Sequence, residues 1–147
     1  MKKQAYIMIA MFVLVGSVAI AASAQTTSRT ELKANIPFEF TAGNKNLPAG
    51  EYTIQQINPA SDDAVLQLRS KDGSANAMVQ TSSVIGKAPE SAKLIFHRYG
   101  NQYFFAEAWV DGDAYGLKAS KSRAERTAER EVAGIRPKTE SIALRRQ

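Results

Sequence analysis

Few residues in this chain offer a starting point for chemistry. His97 is the only histidine and cysteine is absent, so zinc sites with two or three histidines and every thiolate site are excluded. A Ser-His-Asp triad would need a serine marked by its context, and no G-x-S-x-G segment exists. His97 is therefore read as a packed strand residue satisfied by one hydrogen bond. Glu107 lies between Phe105 and Trp109, where burial would raise a carboxyl group toward the range a general acid needs. It has no second carboxylate at a defined spacing, as glycoside hydrolysis requires, so an ion pair with Arg98 is the expected use. Tyr99, Tyr103 and Trp109 would form a stacking platform for sugars if they faced solvent. With Glu107 they are the candidate ligand-binding residues. Asp111-Gly112-Asp113-Ala114-Tyr115-Gly116 opens like a calcium loop, but Tyr115 takes a ligand position and Ser122 stands where a bidentate glutamate belongs. A plain turn is expected there, with no metal site, no cofactor and no catalytic residue anywhere.

The element that must position these side chains is KLIFHRYGNQYFFAEAWV, Lys93 to Val110, two apolar runs flanking Gly100-Asn101. A two-residue turn at Gly-Asn predicts a β-hairpin, because glycine accepts positive φ freely and asparagine better than most. Tyr99 then pairs with Gln102, Arg98 with Tyr103, His97 with Phe104 and Phe96 with Phe105, and so on outward. Unbroken alternation puts Leu94, Phe96, Arg98, Tyr103, Phe105, Glu107 and Trp109 on one face. Ile95, His97, Tyr99, Gln102, Phe104, Ala106, Ala108 and Val110 share the other. Both faces are largely apolar, which predicts a central hairpin covered on both sides.

The N-terminus reads as an export signal: Met1-Lys2-Lys3, an apolar run from Ala5 to Ala22, and Ala22-Ser23-Ala24 before Gln25. Small residues at Ala22 and Ala24 place cleavage before Gln25, giving a signal peptide at 1–24, helical in its apolar part, and one domain at 25–147. An uncleaved anchor is the competing reading, since the run approaches the roughly 18 residues a span needs. The A-x-A site and the polar segment after it favour cleavage, leaving no membrane span. Export without cysteine suits a bacterial periplasm or exterior. The charge is unevenly placed: residues 25–117 hold 8 Lys/Arg against 10 Asp/Glu, whereas residues 118–147 hold 9 against 4. A slightly acidic body on an exported chain argues against nucleic acid as a partner.

Along the body, Thr30 to Ala34, Ile36 to Phe40, Glu51 to Ile57, Ala64 to Arg69, Ala75 to Ser82 and Ala114 to Lys118 read as strands separated by turn-rich segments. Six to nine strands predict an all-β domain, an antiparallel β-sandwich or small β-barrel. From Ser120 the composition changes to helix formers, predicting one C-terminal α-helix at about 121–133. Ser122 and Glu125 fit a capping box, Gly134 and Pro137 end the helix, and Ala124, Ala128 and Val132 form its apolar stripe. Ser141 to Leu144 would be a last strand.

ANIPFEFTAGNKNLPAGEYTI (34–54), KLIFHRYGNQYFFAEAW (93–109) and SKSRAERTAERE (120–131) together resemble a group of small, uncharacterised exported proteins of soil-type bacteria. The resemblance implies a signal peptide, one β domain and a charged C-terminal helix; it implies no activity. The function expected is a non-enzymatic exported domain with a binding or structural role at the cell envelope, its partner a cell-wall glycan or an envelope protein. Two alternatives stand beside it: a carbohydrate-active or other hydrolytic protein using the aromatic hairpin, and an interaction subunit docking through its basic helix.

Overall fold

The computed structural model describes residues 31–58, 63–132 and 135–146; the signal segment with Ala22, Ala24 and Gln25, and the helix-ending Gly134, lie outside them. The described chain is mostly β-strand with one α-helix. Period-two alternation decides which side chains turn inward. β1 (Leu32–Ile36) buries Leu32, Ala34 and Ile36, and β4 (Gly50–Gln56) buries Tyr52 and Ile54. β5 (Asp63–Ser70) and β6 (Asn76–Ile85) add Ala64, Leu66, Leu68, Ala77, Val79 and Thr81. Between β1 and β4 lie two short strands, β2 (Phe40–Ala42) and β3 (Lys45–Leu47).

The run expected from Ile36 to Phe40 is therefore two strands. Pro37 has no N–H to give a ladder, so β1 stops at Ile36 and the chain turns before β2. Phe40 stays in the core, edge-on to Tyr52 and Phe96, while Phe38 is only half-buried. The Leu47-Pro48-Ala49 turn is tied to the next strand by the Tyr52 hydroxyl, which donates to the Pro48 carbonyl at 2.7 Å.

The second half of the chain forms β7 (Lys93–Tyr99), β8 (Gln102–Trp109), β9 (Tyr115–Ala119), α1 (Arg123–Glu131), β10 (Lys138–Ala143) and β11 (Arg145–Arg146). The strands lie in the order β10-β7-β8-β9-β6-β5-β4-β1-β11, each antiparallel to its neighbours. One departure makes the sheet mixed: β2 pairs antiparallel with β3 but meets β8 in parallel at Thr41 and Phe104. The sheet does not close into a barrel. Its two end strands, β10 on β7 and β11 on β1, are nevertheless consecutive in the chain and separated by Leu144 alone.

The hairpin β7–β8 sits inside this order and is covered on both faces. Leu94, Phe96, Phe105 and Ala108 join the main core. On the opposite face Tyr99 and Phe104 pack with Ala128 of α1 and with Val132, the residue that caps its C-terminus. Gly100 at the turn has φ of 61°, and no other residue type takes positive φ among the described residues, so glycine alone carries the turn's unusual dihedral.

Candidate functional site

The inner pairs of the hairpin fall as expected, Tyr99 with Gln102, Arg98 with Tyr103, His97 with Phe104 and Phe96 with Phe105. Beyond them the register shifts: Ile95 pairs with Glu107 and Leu94 with Ala108, leaving Ala106 unpaired as a β-bulge. One extra residue inverts the faces of everything after it. Ala108 takes the core position beside Leu94, and Glu107 and Trp109 move to the face away from the core.

This corrects the expected Glu107–Arg98 ion pair. Glu107 instead accepts from the Trp109 indole N–H at 2.8 Å and lies 3.9 Å from Lys118, its cross-strand neighbour on β9. Arg98 donates from Nε to the Gly100 carbonyl, reaches Glu140 at 3.8 Å, and sits over the Tyr103 ring at 5.3 Å. Trp109 is 8% exposed and lies flat on two backbone segments that have no side chain, Gly116 beneath it and Gly86 beyond. Tyr103 is half-buried, with Phe38 stacked on its ring at 3.8 Å between centroids. Tyr99 is 3% exposed. Of the four candidate ligand-binding residues, Tyr99 and Trp109 have no open ring face, Tyr103 already stacks internally, and Glu107 is held by two partners.

His97 and Tyr99 converge on a residue that spacing did not single out for this role. Glu125 of α1 is buried, and its Oε1 accepts from Tyr99 Oη at 3.3 Å and lies 2.8 Å from His97 Nδ1. Ser122 caps the helix as its position in S-x-x-E predicts, accepting from the Glu125 amide at 3.1 Å. The reciprocal half of the capping box is not used, because the Glu125 carboxylate turns inward to the hairpin. The buried side of α1 is accordingly Glu125, Ala128 and Val132, and Ala124, placed on the stripe by its spacing, is exposed. Burial first, and then the charge of Glu125, hold the Tyr99 hydroxyl above its usual pKa, so it remains a donor at neutral pH. One carboxylate oxygen facing an imidazole and a phenol orients both and fastens helix to sheet. Asp113, from the calcium-like segment, caps its own turn by accepting from the Tyr115 amide at 2.8 Å.

Comparison of the chain with family models, with curated proteins and with solved structures found no match.

Proposed function

We propose that this chain is an exported, non-enzymatic β domain with a binding role at the bacterial cell envelope. The observation that carries the non-enzymatic part is the use made of its few reactive side chains. His97, through Nδ1, and Tyr99 both turn to Glu125 under α1, and Glu107 accepts from Trp109 beside Lys118. These contacts commit Glu107 and Glu125 to neighbouring side chains of the fold, and the pairing of Glu125 with His97 Nδ1 serves to fasten α1 to the hairpin. Export rests on the basic start, apolar run and Ala22-Ser23-Ala24 site, and on a body built without cysteine.

Expression of the full chain in a Gram-negative host, followed by fractionation and intact-mass measurement, tests the export step. The expected product begins at Gln25, is found outside the cytoplasm, and co-sediments with isolated cell-wall sacculi. A precursor that keeps residues 1–24 in the cytoplasm refutes export. Turnover of a glycoside or ester panel that disappears in Glu107→Gln refutes the non-enzymatic reading.

A further inference from the structure

On the side of the sheet where the β2–β3 turn approaches β6 and the lead into α1, a cleft of about 540 Å³ opens to solvent. That volume lies within the roughly 300–1,000 Å³ of small-ligand sites. The cleft is lined by Lys45, Lys121 and Arg123, by the amide-bearing residues Asn44 and Gln80, and by Met78, which is 60% exposed. Among the described residues no carboxylate lines it. Two other clefts differ in this respect: Glu51 lines both, beside Lys33, and it is salt-bridged to Lys71 at 2.8 Å.

Two of the three cations have no ion-pair partner among the described residues. Lys45 donates to the uncharged Asn76 carbonyl at 3.1 Å, and Arg123 makes no ion pair among the described residues. Lys121 alone has a carboxylate, Glu129, at 2.7 Å. Positive charge of one sign gathered on one concave surface raises the local concentration of anions there. Amide side chains can both donate to and accept from hydroxyl groups, and the thioether of Met78 offers an apolar patch at the same wall.

We propose that this cleft binds an anionic sugar, a glycan unit whose acidic group is held by Lys45 and Arg123 and whose hydroxyls meet Asn44 and Gln80. The inference rests on the envelope-binding reading and names its ligand class. Charge complementarity selects the acid, and the amides select a hydroxyl-rich ligand over a bare anion.

Calorimetric titration of the mature chain with a galacturonic acid oligomer tests it, beside a neutral cello-oligomer of equal length, inorganic phosphate, and phosphatidylglycerol vesicles. Binding of the acidic oligomer alone is expected, weakened roughly tenfold or more by the double substitution Lys45→Glu with Arg123→Glu. Lys87→Glu with Lys138→Glu, which changes the net charge equally at exposed sites outside the cleft, should leave it unchanged. Equal loss in both pairs reduces the effect to overall charge and overturns the proposal. So does no loss in the first pair, equal binding of the neutral oligomer, binding only to phosphate or to vesicles, or no binding at all. Lys45→Gln with Arg123→Gln gives the same reading if charge reversal disturbs folding, which the fluorescence of Trp109 reports. Sacculus binding that survives the cleft substitutions refutes the cleft and leaves the envelope reading standing.

Discussion

Trp109 shows how one side chain dictates its neighbours. Its ring lies so close over β9 that a Cβ at Gly116 would meet Cδ2 and Cε2 at 2.6 Å, and one at Gly86 would meet Cη2 at 2.5 Å. Alanine at Gly116 must therefore displace the ring, at about 1–3 kcal/mol for overpacking. Urea denaturation should show that loss, and the emission of the single tryptophan should shift to the red; unchanged emission would mean the glycine is not there for the ring. Asp72 belongs to the same scale. Hydrogen bonds from Ser70 Oγ and from the Ser74 amide and hydroxyl lower its pKa from 3.8 to about 2. A depressed folded-state pKa adds stability above the unfolded value and loses it as pH falls through the folded one. The contribution should thus be full at neutral pH and fade between about pH 4 and pH 2, and Asp72→Asn should flatten that part of the stability profile. An NMR carboxyl titration with its midpoint at the ordinary value would contradict this. The turn bearing Asp72 was legible in Ser70-Lys71-Asp72-Gly73. The site of Trp109 was not, because Ala106, the bulged residue, is neither glycine nor proline and looks like any other strand alanine.

At the scale of elements the decisive contact is α1 on the outer face of the hairpin. A helix whose apolar buried side offers little beyond Ala128 and Val132 removes little area from water, and the Glu125 carboxylate supplies what packing does not. Glu125→Ala leaves the Tyr99 hydroxyl and the His97 ring without their shared acceptor at a site only 4% exposed on the glutamate side. The expected cost is about 2 kcal/mol, with Glu125→Gln costing less because an amide oxygen still accepts. Hydrogen exchange should place the loss in residues 123–131 and at the His97 and Tyr99 amides. Uniform loss across the sheet would show instead that α1 is not a separately held element. The helix and its Ser122 cap could be read from the sequence, since capping is local chemistry. The docking face is legible in part: Ala128 and Val132 of the apolar stripe do pack on the hairpin, whereas Ala124 is exposed and Glu125 is buried instead, and a buried glutamate is recognisable only once its partners from another element are known.

For the molecule as a whole, the open path of strands and the order of the chain bear on each other. β10 and β11 stand at opposite ends of the sheet yet are joined through Leu144, which is itself buried and donates its amide to the Ala92 carbonyl at 2.8 Å. The last strand segment thus ties the two sheet edges to each other, β7 on one side and β1 on the other. The all-β class, the strand-rich body and a final strand near Ser141 to Leu144 follow from alternation and turn composition. That one short segment serves both edges does not, because its partners are 40 residues and more away along the chain and local pattern carries no register over such distances. Removing residues 138–147 would expose both edges at once, taking Ile142 from Leu94 and the β11 pairing from Leu32 and Lys33. The truncated chain should lose its cooperative unfolding transition and its near-ultraviolet circular dichroism while keeping much strand signal, and it should self-associate through the uncovered edges. A transition with the full-length midpoint would mean that the two edges hold independently. In that event the C-terminal segment would be an appendage of β7 and not the tie between the ends of the sheet.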